Sequence, residues 1–142
     1  MASYAKGKKE GKTLNTYIKK TISLSPLTHT WILDIDGTIV KHNGYIIDGV
    51  DTLLPNAREF VSSIPESDMI IFITSRKLQY REATLEFLQK NNIRYDHIIF
   101  EAPYGERILL NDRKPSGLAM SLALNIDRDI LPEISINIDN DI

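Results

Sequence analysis

Cysteine is absent from the 142 residues. That excludes disulfides, zinc–thiolate centres and thiol nucleophiles. Long apolar runs are missing too: none approaches the roughly 18 residues that a membrane-spanning helix needs. The basic first residues are not followed by the apolar segment of a secretory signal, so a cytoplasmic location without membrane contact is expected. Internal repeats and low-complexity tracts are not seen, which removes solenoid and linker readings.

What is present is ordinary for a globular chain: 42% apolar and 25% charged residues, with a net charge of −2. The length suits one domain with a single core. Charge is uneven, however. Residues 1–20 carry Lys6, Lys8, Lys9, Lys12, Lys19 and Lys20 against Glu10 alone. Such a start either contacts an anionic partner such as nucleic acid or is a solvated terminus. We divide the chain into a basic N-terminal extension, 1–28, and a folded domain, 29–142. Within the extension, residues 14–22 suit a short helix or an added edge strand that Pro26 ends.

Patterning predicts alternating strands and helices. Trp31-Ile32-Leu33 is a short apolar run closing in Asp34 and Asp36, with a turn at Gly37. Residues 39–51 suit a hairpin or flap, and Leu54 to Ile64 a helix with Pro55 near its first turn. Met69 to Ile73 is continuously apolar, as in a strand buried on both faces of a parallel sheet. Gln79 to Asn91 predicts a helix stopped by Asn91-Asn92. Strands are expected at 97–100 and 107–110, a helix or strand at 118–126, and a loosely packed end from Asp127. The alternation argues for an α/β sandwich with a mostly parallel sheet.

Two carboxylates at a strand tip repel each other unless a cation or proton intervenes. They suit a hard-metal site, a nucleophile with an acid/base partner, or both. Asp34-Ile35-Asp36-Gly37-Thr38 resembles the first motif of the haloacid dehalogenase superfamily of phosphotransferases. Thr74, closing Ile70-Ile71-Phe72-Ile73, resembles its second motif, and Asp112 after Ile108-Leu109-Leu110-Asn111 its fourth. The third motif, a cation, is the poorest match: Glu101-Ala102-Pro103 has none where relatives often place a lysine. Lys114 and Arg107 are the substitutes. The run from Asn111 to Gly117 is similar to that of small members found with polysaccharide-biosynthesis genes, which favours Lys114.

The resemblance covers residues 31 to about 126. It implies a three-layer Rossmann-like sandwich, and the short gaps between motifs leave no space for a cap domain. It further implies a magnesium-dependent phosphomonoesterase with Asp34 as nucleophile and Asp36 as acid/base. Thr74 and Lys114 would hold the transferring oxygens, and Asp34, the backbone carbonyl of Asp36 and Asp112 the Mg2+. Ser75, Arg76 and Arg107 are candidates for substrate binding. A small phosphorylated metabolite such as a sugar phosphate is the expected substrate, with a homo-oligomer as an alternative source of a lid. Competing readings are a 3′-phosphatase on nucleic-acid ends, a regulatory phosphoacceptor and a non-catalytic relative. His42, Tyr45 and Tyr104 fall on expected loops, where each either faces the site or is an ordinary surface or packing residue.

Overall fold

A computed structural model describes residues 19–142, so Lys6 to Lys12 and most of the segment expected at 14–22 lie outside the described residues. Among the described residues, five strands and three helices follow in order: β1 (Lys19–Leu24), β2 (Thr30–Asp34), α1 (Gly44–Ile47), α2 (Ala57–Ser63), β3 (Met69–Ile73), α3 (Arg81–Lys90), β4 (His97–Ile99) and β5 (Glu133–Ile138). A 3-10 turn, Leu78–Tyr80, leads into α3. Every strand pairing is parallel. One sheet runs β2-β3-β4, the other β1-β5, and neither closes into a barrel. The α/β class and parallel sheets expected from the alternation are therefore present. Among the described residues, no helix is long and apolar enough to cross a membrane.

One core serves both sheets. Successive side chains on a strand point to opposite faces, and the face carrying Ile70 and Phe72 is fully buried. Trp31 on β2 meets Phe60 on α2 edge to face, with centroids 5.9 Å apart. Leu88 from α3 and Leu131 and Ile134 from the C-terminal segment complete the same cluster. The other face of β2-β3-β4 is not buried alike: Ile32 is 52% and Ile99 50% exposed. The continuous apolar run at 69–73 thus has one fully buried face rather than two.

Hydrogen bonding explains where several elements end. Asn56, left-handed with φ of 72°, precedes α2 and its carbonyl accepts from Phe60 N, so the helix starts after Pro55 instead of enclosing it. Asn91 caps α3 and Asn92 turns left-handed, as the paired asparagines suggest. At the opposite end of the sheet from the acids, Asp68 accepts from Trp31 Nε1, His29 N and His29 Nδ1, tying the start of β2 to β3. Burial pushes its carboxyl up, but those bonds and the imidazole outweigh it and the net shift is downward.

The connection at 39–51, expected as a hairpin or flap, is closed by the antiparallel Val40–Leu53 bridge and carries α1 within it. Four expectations change. No strand forms at 107–110, and neither helix nor strand at 118–126; Ile108 is 89% and Leu110 96% exposed. Apolar composition suited these segments to regular structure, yet neither gains a partner that would bury it. From Asp127 on, by contrast, the chain is well packed: β5 pairs with β1 from Lys19–Glu133 to Leu24–Ile138, and Leu131 is buried. Alternating Ile134 and Ile136 carried that signal despite the acids around them. Residues 19–24, placed in the extension from sequence, contribute β1 and put Ile22 in the core.

Candidate active site

The site lies at the C-terminal tips of β2 and β3, where open α/β sheets place their ligands. Asp34 closes β2 in register with Ile73 of β3, so Thr74 follows directly on the neighbouring tip. Past Asp34 the chain tightens: the amides of Thr38, Ile39 and Val40 all point at Ile35 O, and Gly37 N donates to Val40 O. Gly37 adopts a φ of +82°, and a Cβ there would stand 3.1 Å from Arg128 Cγ. Glycine is favoured there by the backbone angle, and a Cβ would also press on the Arg128 side chain. A turn from far along the chain covers this loop. Asp129 N donates to Gly37 O, and Asp129 Oδ1 accepts from His42 N. The His42 ring lies against Gly37, its Nδ1 buried without a hydrogen-bond partner.

The two acids have opposite surroundings. Asp34 is open on one side, its side chain 43% exposed, with Thr38 Oγ1 donating to Oδ2 at 3.1 Å and Arg107 4.0 Å from Oδ1. Burial raises its carboxyl above the ordinary aspartate range; Thr38 and Arg107 oppose that rise, while Asp36 adds to it. Asp36, by contrast, is gripped. Arg76 Nε donates to Oδ2 and Nη2 to Oδ1, each at 2.9 Å. The same guanidinium gives Nη1 and Nη2 to Asp51 at 2.8 and 2.7 Å, and Nη1 also to Thr84 Oγ1.

Arg76 is therefore a structural clamp between two carboxylates, 3% exposed. That correction to the substrate-binding role follows from donor geometry: all the fork's terminal nitrogens are engaged within the protein. Burial alone would pull its proton affinity down, but the bonds to Asp51 and Asp36 push it above the ordinary arginine value. Tyr45 lies beneath the guanidinium, 4.0 Å from ring centroid to Cζ, and meets Tyr80 edge to face at 4.8 Å.

The remaining expected residues fall into two groups. Thr74 is at the tip but 1% exposed, its Oγ1 accepting from Arg76 N at 3.1 Å. Ser75 Oγ donates to Pro103 O at 3.4 Å. Arg107 is the cation brought to Asp34. Lys114, favoured over it from sequence, sits in the exposed segment, its amide closing a turn with Leu118 O. Asp112 is not brought to Asp34 either; it is exposed and accepts from the Asn111 side chain. Both depend on the strand at 107–110, which does not form. Asp51, Thr84 and Arg128 were missed, and no local signal marks them. They enter through tertiary contacts with Arg76 and Gly37.

Magnesium takes hard oxygen ligands, often one or two carboxylates with several waters. Arg76 occupies the Asp36 carboxylate but not the backbone carbonyl expected as the ligand, and Asp112 is bonded to Asn111 in the exposed segment. Among the described residues no group of three His, Cys, Asp or Glu side chains is placed to hold a metal. Of the expected ligands, Asp112 is not beside Asp34 as arranged here.

No family model matches the chain, and no curated protein matches it. Among solved structures it is similar to a chain of the Pnkp1/Rnl/Hen1 complex, with 25% identity and a TM-score of 0.46. The match covers 60% of this chain and 32% of that one. This chain thus spans about a third of that one, and an overlap of this size carries no argument about function.

Proposed function

We propose that the protein is a phosphomonoesterase in which Asp34 is the nucleophile. The observation that supports this best is the asymmetry of the two acids. Asp34 is accessible, partly desolvated and faced by one cation and one hydroxyl, as a nucleophile toward an anionic ester requires. Asp36 is held in place by a bidentate guanidinium.

In the first step a carboxylate oxygen of Asp34 bonds to phosphorus while the bond from phosphorus to the ester oxygen breaks, and the departing alcohol takes up a proton. In the second, water attacks the acyl phosphate and releases inorganic phosphate, restoring the carboxylate. Arg107 offsets the charge of the entering phosphoryl group, and the Thr38 hydroxyl holds Asp34 in line. Asp36 is the acid/base of the pair. Because Arg76 fills one lone pair on each of its oxygens, the two remaining ones carry the proton.

A second reading is favoured by that same clamp: if Asp36 does not exchange its proton, the chain is a phosphoacceptor whose Asp34 phosphate persists. Incubating the protein with acetyl phosphate or p-nitrophenyl phosphate, with and without magnesium chloride, separates the two. Rapid phosphate release that Asp34→Asn abolishes supports the esterase. Slow release with one phosphoryl group retained on Asp34 supports the acceptor. Turnover by Asp34→Asn equal to that of the unaltered protein refutes both. Stimulation by magnesium would point to an ion held by Asp34, the Asp36 carbonyl, the phosphate and water.

A further inference from the structure

Tyr45 lies under Arg76, and Tyr80 packs on Tyr45. Burial raises the Tyr45 phenol, with Asp36, Tyr80 and Tyr104 adding to the rise and Arg76 opposing it. Tyr45 and Tyr80 are thus accounted for by packing and by the guanidinium. Tyr104, on the loop after β4, is 81% exposed.

That exposure does not come from a loosely attached loop. Residues 101–107 are fixed to the tip of β3: Glu101 N donates to Arg76 O, Ala102 N to Thr74 O, and Ser75 Oγ to Pro103 O. The loop's other end folds on itself, Arg107 Nη1 donating to Gly105 O at 3.0 Å, and sets Arg107 4.0 Å from Asp34. Tyr104 therefore stands on a stretch tied to Thr74 at one end and reaching Asp34 at the other. An aromatic ring held at the rim of a site, without a covering partner, offers a flat face to a ligand. Such a face adds affinity without demanding a particular hydrogen-bond pattern.

We propose that Tyr104 determines specificity, stacking on a ring carried by the leaving group of the ester attacked at Asp34. The substrate class is then a phosphomonoester of a ring-bearing alcohol, a cyclic sugar or an aromatic ring, rather than of a short open chain. This inference rests on the esterase reading for its kinetic test but not for its binding test.

Kinetics of Tyr104→Ala and Tyr104→Phe with p-nitrophenyl phosphate, glucose 6-phosphate and glycerol 1-phosphate give the first readout. Tyr104→Ala is expected to raise KM about tenfold for a ring-bearing probe, with kcat little changed. Glycerol 1-phosphate should not respond, and Tyr104→Phe should behave as the unaltered protein. The ring probe that responds more strongly identifies an aromatic or a sugar leaving group. Equal responses to ring and open-chain probes, or none, overturn the proposal. Binding of phenylphosphonate, which cannot turn over, is the second readout. Binding weakened by Tyr104→Ala in a protein without hydrolytic activity would leave the inference standing and remove the esterase. Hydrolysis and phenylphosphonate binding both indifferent to Tyr104→Ala would do the reverse.

Discussion

The two acids of the Asp34–Thr38 turn stand two residues apart, yet one half of the site is closed and the other open. On the closed side, Asp36, Arg76, Asp51 and Thr84 satisfy one another in a region nearly shut off from water. On the open side, Asp34 has a single hydroxyl and a more distant arginine. Identical side chains thus take different duties from their neighbours alone. Breaking the clamp of the closed half should cost stability and, with it, the placing of Asp36, whereas breaking the open half should cost chemistry alone.

The largest effect is expected from Arg76→Met, which strands two carboxylates in the interior. A loss of about 3–5 kcal/mol is typical for such a change and can be read from urea unfolding. Arg76→Lys should recover only part, because an ammonium cannot fork onto two carboxylates. Unfolding midpoints equal for Met, Lys and arginine would end the distinction between the halves.

Asp51→Asn comes next, expected to cost about 1–3 kcal/mol by weakening two charged hydrogen bonds. If Asp51 only orients Arg76, its replacement should also disturb Asp36 and lower turnover.

Asp34→Asn should abolish phosphate release without destabilising the protein at neutral pH. Its sign follows from burial. A carboxyl whose value is raised in the folded state binds protons more tightly there than in the unfolded chain. Its contribution to stability therefore falls as pH rises from the ordinary aspartate value through the raised one. Asparagine removes that fall, so the variant should gain on the unaltered protein across this window. A variant that instead loses ground as pH rises would contradict the open, desolvated description of Asp34.

The smallest stability change belongs to Arg107→Ala, expected within about 0.5 kcal/mol as for other surface positions. The same substitution should raise KM for phosphate esters and weaken inhibition by inorganic phosphate. An unchanged KM would sharpen the picture differently, moving the cationic role to Arg128.

Much of the ordered half was legible in the chain. Apolar residues before Asp34 and Thr74 gave both strands, and their parallel register puts the two tips side by side. The asparagine pair ended α3 where expected. What escaped was decided at long range. Arg76 was weighed as an anion binder because sequence shows its charge but not Asp51, which reaches it from a separate connection. The segment after Arg107 misled in the other direction. Ile108-Leu109-Leu110 has strand composition, but composition records what a segment prefers, not whether a sheet edge receives it. Likewise, acids near the C-terminal end masked β5, because its packing is fixed by Ile22 and β1 rather than by its own average polarity.

The β1–β5 pairing carries a kinetic consequence. Lys19 meets Glu133 across almost the whole described chain, so this ladder closes the longest loop among the described strand pairings. Loop-closure entropy and high contact order both delay such a contact. The nucleus should therefore form among β2, β3 and α3, with Ile22 and Ile134 joining late. Conservative truncations at those two positions should speed unfolding while leaving the refolding rate nearly unchanged.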